Sequence, residues 1–418
     1  MDVPFIPTIL NLHCEEASFL WTLRQRFLIR SDILLADLAG ADERIESHLD
    51  GLRVAQERGW KACHEALAKC GSGEVFAAVT CALERGALNN ILPLLAVAES
   101  DPEIFSGFVS ALGWVSPQNL QGVIKSFLNS PSTFHRQVGI AACAMHQVDP
   151  GVALAVAITD ANPLLRARAL RVTGEIGQRD LLAACLTALV DTDAACRFWA
   201  AHSAALLGER GKAIDVLKGF VLRPSPFRVR ALKLLLKFIE VQQATELLRA
   251  LAPDPANIRF LIQGAGVVGD PFYVLWLIKQ MADLKLTRLA GESFTFITGL
   301  DLAYLDLDRK PPETVESGPN DNPDDPDVSM DEDESLPWAD PVKIQTWWDA
   351  NKSRFTDGTR YFMGAPVTHA HCLQVLKDGY QRQRIAAALY LCLLQPGTKL
   401  FPTKAPAWRQ QCWLADLK

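Results

Sequence analysis

One arginine returns about every 31 residues in the middle of this chain. Arg136, Arg166, Arg197, Arg228, Arg259 and Arg288 stand 30, 31, 31, 31 and 29 residues apart. Each opens a largely apolar stretch of helical composition: QVGIAACAM, ARALRVTGEIG, FWAAHSAALLG, VRALKLLLKFI, FLIQGAGVVG and LAGESFTFITG. Four of these stretches close on glycine, at Gly177, Gly208, Gly269 and Gly299, where a left-handed residue can satisfy the last helical carbonyls. A second apolar segment follows in most units, as in DLLAACLTALV, KAIDVLKGFVL, QATELLRALA and PFYVLWLIKQMA. Pro163, Pro224 and Pro255 sit in the turns that lead into the next unit, and Pro271 suits the first position of a helix. Each repeat therefore reads as helix A, turn, helix B, turn. One such hairpin cannot bury its own apolar faces, so neighbours must stack. The arginines are expected to occupy equivalent places on successive A helices and to tie adjacent repeats together.

The register extends loosely upstream through EVFAAVTCALERG and EIFSGFVSALGWV, which places the array at 72–308. Residues 1–71 lack the register and read as a helical N-terminal cap. Residues 341–418 read as a C-terminal helical cap with Trp347, Trp348, Trp408 and Trp413 in its core. Between array and cap, residues 309–340 form an acidic, Pro-rich loop or linker, with eleven carboxylates and no lysine or arginine from Pro311 to Asp340. Such composition predicts a disordered insert that costs little stability when removed. Its carboxylates, Asp324, Asp325, Asp331, Glu332, Asp333 and Glu334, are the candidate partner-binding residues, because a run of negative charge steers a basic protein surface.

The chain has 48 acidic and 42 basic residues, for a formal charge of −6. Without a basic run it is a poor fit to a nucleic-acid backbone. The N-terminus has no secretory pattern and no stretch approaches about 20 apolar residues, so a cytoplasmic location without membrane contact is expected. The ten cysteines include no C-x-x-C pair and fall mostly in apolar helical runs, as reduced core thiols do. His369, His371 and Cys372 cluster in THAHCLQ without a second cluster to complete a metal site. One His-Glu pair, His64–Glu65, stands alone. The chain contains no G-x-S-x-G, no G-x-x-x-x-G-K and no H-E-x-x-H. No catalytic, metal or cofactor residue is predicted.

The chain resembles a proteobacterial family of about this length with HEAT-like repeats and no assigned activity. The resemblance rests on HCEEASFLW, SHLDGLRVAQERGW, FITGLDLAYLDL, WWDANKSRF, GTRYFMGAP, LKDGYQRQRIAAALYL and APAWRQQ. It implies an all-α, right-handed HEAT-like helical-repeat solenoid. Genes of that family often lie near type VI secretion genes, beside PAAR-like proteins. The resemblance thus implies an adaptor or chaperone for a secreted effector or its PAAR-like carrier. The repeats themselves point to another protein bound on a concave face lined by the B helices, with the acidic insert as a further contact. Two rival readings are an immunity protein that neutralises a cytoplasmic toxin and an enzyme with its active site in a groove.

Overall fold

The computed structural model describes residues 6–69, 71–86, 88–313 and 331–417. The chain is about 70% helical, and the strands among the described residues are two short ones, β1 (Tyr361–Phe362) and β2 (Ala365–Pro366), paired antiparallel. Two compact units divide it: residues 1–207 with 396–418, and residues 208–395. The C-terminal region expected to form one cap therefore contributes to both. Trp347 and Trp348 belong to the core of the second unit, whereas Trp408 and Trp413 flank Arg409 in the first.

The first unit opens with α1 (Pro7–Phe27), α2 (Leu35–Val54) and α3 (Glu57–Ala66). Hairpins follow: α4 (Ser72–Glu84) with α5 (Leu88–Ser100), α6 (Pro102–Trp114) with α7 (Val123–Leu128), α8 (Thr133–Met145) with α9 (Val152–Ala157), and α10 (Pro163–Glu175) with α11 (Leu182–Thr187). The next A helix is α12 (Ala194–Leu206). The second unit continues with α13 (Lys212–Leu222), α14 (Arg228–Phe238), α15 (Val241–Leu251), α16 (Ile258–Val268), α17 (Val274–Gln280) and α18 (Thr287–Thr298). It closes with α19 (Pro341–Asn351), α20 (His369–Asp378) and α21 (Gln381–Leu394), and α22 (Ala407–Asp416) returns to the first unit.

Short side chains specify the A helices. Four of them start on a side-chain cap: Ser132 caps α8 and Asp193 caps α12, while Asp101 caps α6 and Asn162 caps α10, each of these two before proline at the first helical position. Gly269 and Gly299 end α16 and α18 in the left-handed conformation. The A helices carry alanine, glycine and serine where they meet, so that backbones approach closely. A Cβ on Gly174 of α10 would lie 2.7 Å from Ser203 Cα on α12. A Cβ on Gly266 of α16 would lie 2.8 Å from Ser293 Cα on α18. In both pairs the serine hydroxyl donates across the contact, Ser203 to Leu170 O at 2.6 Å and Ser293 to Ile262 O at 2.8 Å. The same close fit joins α1 to α4, where Gly73 faces Ser18 O, and α4 to α6, where Gly107 faces Ser72 O.

The N-terminal helices share this core rather than sitting apart from it. Trp21 of α1 stacks on Phe76 of α4 at 5.3 Å, and Phe76 meets the edge of Trp114 of α6 at 5.4 Å. Such aromatic contacts add about 0.5–1.5 kcal/mol each beyond area burial.

The glycine contacts predict opposite signs for one substitution at two helical sites. Gly174→Ala should lower stability by about 2 kcal/mol, since the nearest obstacle includes backbone that cannot rotate away. Gly219→Ala in α13, where a Cβ meets nothing within 4 Å, should raise stability by about 0.5–1 kcal/mol. Urea unfolding of both variants checks this. Equal effects would show that the contact is not tight.

Candidate protein-interaction surface

The recurrent arginines are structural. Arg166 donates from Nε and Nη2 to both oxygens of Asp191, at 2.7 and 3.0 Å, and from Nη1 to the carbonyl of Asp160 at 2.6 Å. Arg197 repeats the second half of this pattern, donating to the carbonyls of Asp191 and Thr192 at 2.6 and 2.9 Å. Asp191 thus joins two successive arginines, one through its carboxylate and one through its backbone. The hydrogen bond from Arg166 holds its pKa below the ordinary carboxylate value. Arg136 pairs with Asp160 at 2.9 Å, the equivalent turn one repeat earlier. In the second unit Arg228 donates to Asn257 Oδ1 at 2.9 Å and to Val221 O at 2.9 Å.

Arg259 and Arg288 take their carboxylates from elsewhere, although Asp283 stands 24 residues beyond Arg259, the offset of the Arg136–Asp160 pair. The end of the acidic insert supplies them. Asp333 receives both terminal nitrogens of Arg259, at 2.9 and 3.0 Å, and Asp331 pairs with Arg288. Arg382 donates to the carbonyl of Glu332 at 3.3 Å. Asp333 is buried, and Leu336 and Trp338 beside it enter the core. Burial would raise the pKa of Asp331, yet Arg288 keeps it below the ordinary carboxylate value.

The expectation of a solvated, dispensable insert is therefore corrected for its end. Residues 331–340 pack because two ladder arginines need counter-ions. Of the six candidate carboxylates, Asp331 and Asp333 bind within the chain. Glu332 is largely exposed, 3.6 Å from Arg259, and Glu334 has a polar partner of its own. Asp324 and Asp325 lie outside the described residues.

The ends of the A helices are also occupied from within. In the first unit, Arg409 donates to the carbonyls of Gly113, Trp114 and Val115 at 2.8, 3.2 and 2.8 Å. Burial pushes its pKa down to about 10. Leu400 N reaches Glu175 O at 2.8 Å, and Lys399 Nζ reaches Gln147 O at 2.7 Å. The buried Arg24–Asp42 pair ties the same tail to α1 and α2, with Asp42 accepting Ala407 N at 2.6 Å. In the second unit, Arg360 plays the part of Arg409. It donates to Lys237 O and Ile239 O at 2.8 and 2.6 Å, and to Val268 O at 3.2 Å. Sequence reasoning missed both straps, because GTRYFMGAP and APAWRQQ carry no periodic signal.

Within the hairpins the side of the B helices stays open; outside them α1 also exposes Ile9, Leu12 and Phe19. On the A helices from α4 to α18, the large apolar residues that stay exposed among those described are Leu164 and Val229, both in a first turn. The B side exposes Leu92 and Val97 on α5, Val152 and Val156 on α9, and Val190 at the end of the α11 segment. In the second unit it exposes Leu222, Phe272 and Leu275. Val152, Val156 and Val190 are 79%, 61% and 85% exposed, as much as a charged surface residue would be. The cause is local: α7, α9 and α11 have six residues each, and such short helices turn one narrow face to their A partner.

The sequence's candidate metal group does not converge. The His371 ring meets Phe362 O at 2.7 Å, while Cys372 is buried with a pKa pushed up to about 11 by desolvation. His64 packs beside Trp60, ring centroids 5.7 Å apart, and Glu65 lies 3.9 Å from Lys61. Among the described residues no three His, Cys, Asp or Glu side chains are grouped as a metal ion requires. Among them, too, no helix is long and apolar enough to cross a membrane.

One buried cation stands out. Lys237 is 6% exposed, with its amine 4.5 Å from the centre of the Tyr390 ring. Burial, then Lys233 and Arg360, pushes its pKa down to about 7.

Residues 151–237, from α9 through α14, match the family described as HEAT repeats. No curated protein matches the chain. The match and the stacked hairpins make this an all-α, HEAT-like helical-repeat fold, of a kind that generally mediates contacts between proteins.

Two outcomes follow from the paired and unpaired charges. Asp333→Ala should lower stability by about 1–2 kcal/mol, discounted because Arg259 is partly solvated. Chemical denaturation measures it, and a change within error would mean the segment merely rests on the surface. For Lys237, the unfolded amine titrates at its ordinary value and the folded one near 7, so the unfolded chain binds the extra proton between these values. Stability should rise with pH across that window by up to roughly 1.4 kcal/mol per unit. Lys237→Met should remove that slope and be the more stable form at pH 6. Parallel slopes for the two proteins would contradict this.

Proposed function

We propose that the protein is a binding scaffold that takes another protein on the exposed side of its B helices. The observation that supports this is the distribution of apolar surface. The A helices are closed by one another and by the chain's own straps, while the B helices hold valine, leucine and phenylalanine in water. Apolar residues left exposed on a rigid repeat suit a partner's apolar anchors, with the surrounding polar residues as a rim. The acidic carboxylates at 331 and 333 become internal struts in this reading, so partner contact rests on the hairpins and not on these two residues.

The finer identity follows from the resemblance: an adaptor or chaperone for a type VI secretion effector or its PAAR-like carrier. Its absence of catalytic motifs agrees with the scaffold role typical of HEAT-repeat proteins.

The test is affinity capture from a type VI-proficient proteobacterial host, with Val152→Asp/Val156→Asp beside the unaltered protein. The variant should keep its circular dichroism and unfolding midpoint, because both residues face solvent. It should bind the captured protein at least about tenfold more weakly, the equivalent of about 1.4 kcal/mol. Undiminished capture by this variant and by Leu92→Asp/Val97→Asp would refute the B-side site. Capture of a toxin whose lethality is abolished, with its stability and delivery unchanged, would replace the chaperone role with immunity.

A further inference from the structure

The core of the first unit holds three thiols that neither the fold nor the proposed binding uses. Cys14 of α1, Cys63 of α3 and Cys81 of α4 are 1%, 0% and 4% exposed and belong to one apolar cluster. Cys63 is central. Its Sγ lies 3.8 Å from Sγ of Cys81, and it also neighbours Cys14. A disulfide needs sulfurs about 2.05 Å apart, so closure asks each to move by less than about 1 Å. Side-chain rotation about the Cα–Cβ bond covers such a distance without unfolding either helix.

We propose that Cys63 and Cys81 are a peroxide-oxidisable pair that closes to a disulfide and ties α3, ahead of the repeats, to α4, the first A helix. Cys81 is the most exposed of the three and meets the oxidant first. Its thiolate attacks one oxygen of hydrogen peroxide, the O–O bond breaks, and the departing hydroxide takes a proton as water, leaving a sulfenic acid. The Cys63 sulfur then attacks that sulfur, the S–O bond breaks, and a second water leaves with the Cys63 proton. Two thiols are oxidised by two electrons and one peroxide is reduced to two waters. Hydrogen bonding to Cys14 and to Cys81, with burial added, raises the Cys63 pKa well above the ordinary thiol value, so its proton must leave as the second step proceeds, and what favours that step is its closeness to Cys81. Cys14 is the competing nucleophile, since its bond with Cys63 lowers its pKa. The 3.8 Å contact on which the pair is chosen is with Cys81, and the test separates the two.

The parent for the experiment is the full chain carrying Cys412→Ser, which removes the thiol that is exposed among the described residues. The protein is treated with hydrogen peroxide, quenched, denatured and titrated for thiols, and its peptides are mapped without reduction. The expected result is a fall from nine thiols to seven and a single linked peptide pair containing Cys63 and Cys81. Cys63→Ser and Cys63→Ala should each keep all remaining thiols, and Cys14→Ser should still form the bridge. Two independent Cys63 replacements guard against a folding defect in either, judged by circular dichroism. A parent that retains nine thiols under conditions that oxidise Cys412 in the unaltered chain would overturn the proposal. So would a bridge that contains Cys14 or that vanishes in Cys14→Ser.

Discussion

The structure depends on how closely two A helices can approach. At Gly174–Ser203 and Gly266–Ser293 the backbones come within a distance that excludes even a methyl group. The serine hydroxyl then turns across the contact to a carbonyl of the neighbouring helix. Close approach brings many weak dispersion contacts into range at once, and a glycine and a serine give up little side-chain entropy to reach it. A larger residue at either place would separate the helices along their length. The remaining features of each unit follow from keeping this spine of A helices together.

Charge and backbone polarity are arranged around that spine. The C-terminal carbonyls of a helix need donors, and here Arg409 and Arg360 each serve three of them. The ladder arginines connect turns, with Asp160 and Asp191 as counter-ions in the first unit. Arg259 and Arg288 are served instead by Asp333 and Asp331, from a segment more than 40 residues away. A partly buried guanidinium without an acceptor is costly, which explains why a strongly acidic stretch is held at its end. Lys237 is the exception, since its amine faces an aromatic ring and other cations, and the chain tolerates it by lowering its pKa.

Much of this was legible in the sequence. The 31-residue recurrence of arginine, the glycines at helix ends and the apolar runs between them specify helical hairpins, because each signal acts within a few residues. The pairing of Arg166 with its neighbours follows from the same register. Composition misled for residues 331–340. Eleven carboxylates predict a segment that cannot bury itself, but composition says nothing about unpaired arginines elsewhere in the chain. The straps at 360–364 and 397–410 were hidden for a related reason: they bind through backbone carbonyls, which every residue has. The B-helix face was expected from the repeats, but its residues were not: Val152, Val156 and Val190 are visible only once the six-residue helices are known to leave one side in water.

Two sides of the hairpin follow from this arrangement, an A side that carries stability and a B side that leaves apolar side chains in water. Hydrogen exchange, read by mass spectrometry on the isolated chain, separates them most directly. The account predicts that amides of α10, α12, α16 and α18 exchange slowest, close to the rate set by global unfolding. Those of α7, α9 and α11 should exchange faster through local opening. Protection of α9 and α11 equal to that of α10 and α12 would contradict it, because the B helices would then be as much a part of the core as the A helices.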